Sequence, residues 1–536
     1  MIIKRIILSV LTVLVLILAG TALWESWQQP QTQSRLELYG TNLLLQASEW
    51  KPQVGAGADL SSRSNALLLG SEPLKVATEE YLEARELALR NLQKAQAQLE
   101  ELRSLPASTP TTPKPQSDIA PVTETSRMTQ QNLLQRQRDS LEKFTADLNL
   151  RLGILQAGQK QVDDALKTWR TVEGQRGRGS EGQGREIISE LVETADVLIG
   201  LWSNPARLLP DAQQLIQANL DGWFRGRALS QLYQLQQRQD ALLQLQAAQQ
   251  EAAQQAIVKL AIINGIPLLV GLIGVGLIIF LVSQRLLKGK ESLLAQNEST
   301  TWSTPWTAET VWQVFIVGFF LLGQLLIPEI LSLLKIKPVV GNVRIQAFYV
   351  LVTYLLLASG GLGVLYLSIK SFLPLAEDWF RLKLRGNWWL WGLGGYATAF
   401  PLIVVVSLIN QQLWQGQGGS NPLLSLALEA QDSVALAIFF FTAAIAAPLF
   451  EEFLFRGFLL PSLTRYVPVW GSIVLSALLF AVAHLSLSEV LPLTALGIIL
   501  GVVYTRSRNL LAPMLLHSLW NSGTLISLFI LGSSTT

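Results

Sequence analysis

From about Val258 to the end, the chain is a succession of apolar runs, each close to the ~20 residues needed to cross a bilayer core. No other feature constrains the fold as strongly. In lipid, every backbone N–H and C=O must be satisfied within the element, so runs of this length read as membrane helices. They lie near 6–24, 258–283, 310–334, 347–370, 388–409, 433–460, 469–487, 490–505 and 510–531. The run near 490–505 is the shortest. Its "GIILG" places Gly497 and Gly501 on one face, which suits close helix packing.

The first run follows Lys4 and Arg5. Its "AGTA" resembles a signal cleavage site, but its apolar stretch exceeds the usual signal core, so residues 1–24 are expected to be an uncleaved anchor. By the positive-inside rule, Lys4 and Arg5 put the N-terminus in the cytoplasm. Counting on from there puts residues 25–256 on the non-cytoplasmic side of a bacterial plasma membrane or a thylakoid-type membrane. Arg285, Lys288, Lys290, Lys370, Arg381, Lys383, Arg385, Arg465, Arg506 and Arg508 then fall inside, whereas Lys335, Lys337 and Arg344 break the pattern.

Composition excludes several chemistries. Half of the 536 residues are hydrophobic and the formal net charge is +2, so nothing points to nucleic acid. There is no cysteine, hence no disulfide, thiolate nucleophile or cysteine-ligated zinc. The two histidines are His484 and His517, so an H-E-x-x-H zinc site is absent.

Residues 25–256 read as mostly helical. "VATEEYLEARELALRNLQKAQAQLEELRS" has helical periodicity with interleaved charge. "LPASTPTTPKPQSDIAP" and "EGQRGRGSEGQGR" read as breaks. Leu152, Gly153, Ala165 and Trp169 have the spacing of a tetratricopeptide repeat, and "ALSQLYQLQQRQDALLQL" offers a weaker second copy. An irregular helical bundle explains the same pattern, since fewer than three repeats are not stable alone.

Charges inside apolar runs are costly and mark function. "FEEFLFRG" holds three of them. On a helix Glu452 and Arg456 share a face and can pair, while Glu451 is turned away by ~100° and left for chemistry. An interfacial helix end, with all three charges reaching headgroups, is the plainer alternative. His484 follows Phe480 by one turn in "FAVAHLS", and a core histidine held by a neighbouring helix explains it equally well. His517 and Asn521 share a face in "HSLWN", either as donors to an oxygen gaining negative charge or as interhelical glue. Together the three clusters supply a base, a water holder and an oxyanion clamp, the means to attack an amide with water.

"EEFLFR", "FAVAH" and "HSLWN" fit, in order, the E-E-x-x-x-R, F-x-x-x-H and H-x-x-x-N motifs of the CPBP family of CAAX-processing and bacteriocin-related intramembrane endopeptidases. The resemblance covers roughly residues 385–531. It implies an all-α intramembrane protease in which Glu451 activates water, His484 helps hold it, and His517 with Asn521 stabilises the tetrahedral oxyanion. Glu452, Arg456 and Phe480 would support the site.

The expected architecture is a polytopic helical bundle: an anchor at 1–24, an extramembrane helical domain at 25–256, additional membrane helices at 257–384 and a protease core at 385–536. The expected activity is endopeptidase action on a membrane-embedded protein or peptide, with residues 25–256 available to a protein partner. A non-proteolytic scaffold or immunity protein is the rival, and a transporter a third reading. No cofactor is expected; zinc held by Glu451, His484 and His517 stays open as the alternative, because the family has been described both ways.

Overall fold

The computed structural model describes residues 2–28, 33–51, 72–104, 124–174, 183–336, 342–414, 417–420, 426 and 432–533. The chain is all-helical, with no β-strand among the described residues. In order, the helices are α1 (Ile2–Gln28), α2 (Gln33–Ser48), α3 (Pro73–Ser104), α4 (Glu124–Gly158), α5 (Val162–Glu173), α6 (Gln183–Trp202), α7 (Ala212–Asn219) and α8 (Gly222–Leu235). They continue with α9 (Gln239–Lys288), α10 (Ala308–Leu333), α11 (Val343–Ile369) and α12 (Trp388–Trp414). The last four are α13 (Ser433–Leu463), α14 (Val469–Val482), α15 (Leu487–Ser507) and α16 (Leu511–Gly532).

The chain divides into two compact units, one of Met1–Gln33 with Ile262–Ser533 and one of Ser34–Ala261. The second unit is a helical domain built on Tyr81, Leu152, Trp169, Trp223 and Phe224. The four residues with repeat-like spacing do pack a helix pair. Gly153 lies so close to Trp169 that a Cβ there would sit 2.2 Å from the indole nitrogen, and that nitrogen donates to the Leu150 carbonyl at 3.0 Å. The Pro/Thr break (105–121) lies outside the described residues, as does most of the glycine-rich one.

The first unit holds the membrane helices. Among the described residues, eight helices are long and apolar enough to cross a bilayer, which makes the chain an integral multi-pass membrane protein. The sequence expectation needs correcting at one place. The run near 490–505, expected to be the shortest, is part of a helix of 21 residues. The short element is α14, with 14 residues, about 21 Å at 1.5 Å per residue against a core of ~30 Å. It ends at Val482, and the chain then turns through Leu485 in the left-handed region at φ 53°, which leaves His484 in the turn just beyond the helix.

Helix α1 is part of this bundle. Arg5 donates to Glu309 at 2.8 Å and Trp312 donates to Thr12 at 2.7 Å. At its other end the buried Ser26 hydroxyl donates to the Gly418 carbonyl at 2.6 Å and accepts from the Leu487 N–H at 3.1 Å. Helices α14 and α15 pack closely because Gly497 has no side chain: a Cβ would sit 2.8 Å from that of Ala477. This is the small-residue face expected from "GIILG".

Candidate active site

The site is built on α13, and its winding decides what is exposed to whom. This helix loosens to π-type turns at Phe441–Ala446 and Phe453–Leu459, with an α-helical stretch, Ala447–Glu452, between them. In the first loosened turn the Ala447 N–H bonds the Thr442 carbonyl, five residues back. The next carbonyl in that register, Ala443, would need the N–H of residue 448, which is proline and has none. The Asn521 side chain on α16 supplies the missing donor at 2.7 Å. Asn521 therefore does bind two helices together, and one of its two amide hydrogens is committed to backbone.

Glu452 and Arg456 face inward and both are fully buried. Their ion pair, expected from the i,i+4 spacing, is present at 2.9 Å. A second Arg456 nitrogen donates to the Gly497 carbonyl at 3.2 Å, and the guanidinium lies over the Phe480 ring, 4.4 Å from its centroid. His517 joins the same carboxylate: its Nδ1 is 2.9 Å from Glu452 Oε1. A carboxylate oxygen only accepts, so Nδ1 carries the proton and Nε2 is aimed elsewhere.

It is aimed at Glu451. His517 Nε2 lies 3.9 Å from Glu451 Oε2, beyond direct hydrogen-bond reach. The other Glu451 oxygen accepts from the Tyr354 hydroxyl of α11 at 3.2 Å. The two adjacent glutamates thus differ as their helical phase predicts. Glu452 is sealed in and shared by Arg456 and His517, whereas the Glu451 side chain is 15% exposed and turned to a different set of partners.

Phe480 joins the clusters. Besides carrying Arg456, it meets His484 edge-on at 4.9 Å and His517 at 5.8 Å between ring centroids. His484 Nδ1 bonds the Phe480 carbonyl at 2.8 Å, which fixes its proton there and leaves Nε2 as an acceptor. Five of the predicted residues, Glu451, Glu452, Arg456, Phe480 and His517, make one connected cluster, with His484 attached through Phe480. Asn521 is placed by its own bond to Ala443. Sequence reasoning missed Tyr354. Its signal was a phenol inside the apolar run 347–370, where a hydroxyl needs a partner.

Among the described residues, no group of three or more histidine and carboxylate side chains is gathered closely enough to hold a metal ion. Each histidine has its Nδ1 committed, one to a carbonyl and one to Glu452, which leaves Nε2 as the nitrogen open to a ligand.

Residues 433–523 match the family model described as Type II CAAX prenyl endopeptidase Rce1-like, and this stretch contains Glu451, Glu452, Arg456, Phe480, His484, His517 and Asn521. Among curated proteins, the Membrane-embedded CAAX protease MroQ of Staphylococcus aureus is 29% identical over 142 residues, 25% of this chain and 56% of the relative. The Putative membrane peptidase YdiL of Bacillus subtilis is 23% identical over 137 residues, 26% of this chain and 55% of the relative. An Uncharacterized 24.3 kDa protein of Escherichia coli is 42% identical over 81 residues, 14% of this chain and 37% of the relative. The chain spans about half the length, or less, of these relatives. No solved structure matches.

Proposed function

We propose that the protein is an intramembrane endopeptidase that hydrolyses a peptide bond of a membrane-embedded protein or peptide, with Glu451 as the base that activates water. The observation that carries this reading is the separation of roles between adjacent glutamates: Glu452 is fixed by Arg456 and His517, while Glu451 faces a histidine nitrogen and a phenol. In the proposed reaction Glu451 takes a proton from water, the oxygen attacks the scissile carbonyl, and Glu451 returns the proton to the leaving amine. His484 holds the water through Nε2. His517 donates to the oxyanion from Nε2 while its Nδ1 stays on Glu452, which requires a doubly protonated ring balanced by that carboxylate. The second amide hydrogen of Asn521 completes the clamp. The mechanism takes no metal.

The substrate class follows from the matched family and from the relatives' names: a membrane-associated chain, with a prenylated C-terminal peptide as the first probe. The test compares purified wild type and Glu451→Gln in liposomes, using prenylated and unprenylated CAAX peptides, and then membrane peptides from cells carrying either form. Cleavage products present with wild type and missing with the variant support the reading. Equal cleavage by both removes Glu451 from catalysis. Activity lost on stripping metal and restored by zinc alone would sink the metal-free mechanism.

The sidedness expected from the basic loops, with residues 25–256 on the non-cytoplasmic face, belongs to this proposal. Protease added to sealed right-side-out vesicles should digest that segment; digestion only in inverted vesicles would reverse the orientation.

One observation favours a second reading. The helical unit contains a cavity of about 340 Å³, walled by Tyr39, Asn42, Tyr81, Phe144, Asp147 and Arg151 among others, large enough for a small ligand or a peptide side chain. A scaffold that recruits a partner there would keep its cellular role in the Glu451→Gln variant, whereas a peptidase would lose it.

A further inference from the structure

We infer that Tyr354, on a helix outside the family-matched stretch, holds and orients the Glu451 carboxylate, so that the accessory helices α10 and α11 are a working part of the site. The inference rests on the reading of Glu451 as the reacting group.

The argument begins with packing. Gly361 on α11 lies against Phe450, the residue before Glu451: a Cβ there would sit 3.1 Å from the tip of the Phe450 ring. Phe450 is buried, stacked on Phe319 of α10 at 6.4 Å and edge-on to Tyr354 at 6.2 Å. Phe315, also on α10, meets Phe455 at 5.4 Å. The aromatic rows on α10 and α13 therefore interlock on both sides of Glu451. This fixes the distance between α11 and α13 and leaves the Tyr354 ring a narrow range of positions.

In that position the phenol donates to Glu451 Oε1 at 3.2 Å. Oε2 is left toward His517 Nε2, and the two oxygens are distinguished by their neighbours. A hydrogen bond to a carboxylate favours its charged form and restricts rotation of the group, both of which a base waiting for water requires. The ionisable groups around Glu451 are Tyr354 from α11, His517 from α16, Glu452 and Arg456 from its own helix, and His484, which reaches the cluster from α14 through Phe480. Of these, Tyr354 is the one that comes from outside residues 433–523. It acts through the Glu451 carboxylate that it holds, so it is a positioning residue.

The experiment uses full-length protein in detergent micelles and dicyclohexylcarbodiimide, which modifies apolar-environment carboxyls in their protonated form. Modification of Glu451 is followed by mass spectrometry across pH in wild type and Tyr354→Phe. Loss of the phenol should raise modification at neutral pH about tenfold and move its pH profile upward. Cleavage of a prenylated peptide should fall about tenfold in kcat with KM little changed. A second variant guards against a folding defect: 3-fluorotyrosine at position 354 keeps the shape, strengthens the donor, and should move the modification profile downward. An unchanged profile in both variants overturns the proposal, as does a shifted profile with unchanged kcat. The modification readout needs no turnover, so a wild type that cleaves no peptide defeats the peptidase reading and leaves the test of the Tyr354 contact standing.

Discussion

Two arginines in this protein are held in similar ways in different surroundings. In the helical unit, Arg151 bonds Asp147 at 2.9 Å and Asp221 at 2.7 Å, and lies over the Phe224 ring at 5.2 Å. In the membrane unit, Arg456 bonds Glu452 at 2.9 Å and lies over the Phe480 ring at 4.4 Å. The difference is in supply. Arg151 has two carboxylates, each more than a quarter exposed, and it joins the C-terminal part of α4 to the residue that precedes α8. Burial works against its charge, but Asp147 and Asp221, with Tyr81 beside them, outweigh that and hold the guanidinium well above its ordinary value. Arg456 has one carboxylate, fully buried and shared with His517, and its Nε and Glu452 Oε2 find no hydrogen-bond partner. Burying such a group costs several kcal/mol unless it is well paired. A staple can be generous with charge at a wetted surface. In the membrane unit the under-supplied pair also holds the His517 ring, whose other nitrogen faces Glu451.

Four single variants and one double variant sharpen or break this comparison. The largest effect is expected on activity. Glu451→Gln should lower peptide cleavage by about 10²–10⁴-fold, the usual share of a general base, with unchanged thermal unfolding of the purified protein. Unfolding that drops with the activity would make Glu451 part of the scaffold. Next, Glu452→Gln leaves Arg456 buried without its counter-charge and should destabilise by about 3–5 kcal/mol. Adding Arg456→Met should recover much of that loss, since it removes the stranded charge; a double variant no more stable than the single one would show that the pair is not isolated in this way.

In the helical unit the effects should be smaller. Gly153→Ala pushes a methyl into the Trp169 indole and should cost about 1–3 kcal/mol, read as a lower unfolding midpoint of this unit in the full chain. Asp221→Asn leaves Arg151 its second carboxylate and should cost about 1 kcal/mol. A loss as large as that of Glu452→Gln would erase the distinction between the two arginines.

How much of this was legible in the sequence depends on how local the cause is. The Glu452–Arg456 pair, the divergence of Glu451 and the close face of Gly497 follow from helical phase alone, and the structure shows all three. The three motifs also marked every member of the site that α13, α14 and α16 provide. What was misjudged lies where local rules compete. The shorter apolar run reads as the weaker helix, but the chain ends α14 early, at Val482 just before the left-handed Leu485, and extends α15 instead.

The sequence by itself determined the class of the molecule: apolar runs of bilayer length must be helices, and charges within them must meet. It also determined which residues meet along one helix, because 3.6 residues per turn is a property of the backbone. Only the tertiary structure decided which helices meet. It brought His517 to Glu452 across sixty-five residues of chain, set Asn521 on a carbonyl that Pro448 cannot serve, and placed Tyr354 against Glu451. The physical reason is that contacts between helices are fixed by the shapes of whole faces, by where glycines let backbones approach and where aromatic rows interlock. Such shapes belong to pairs of surfaces, and no single stretch of sequence contains both members of a pair.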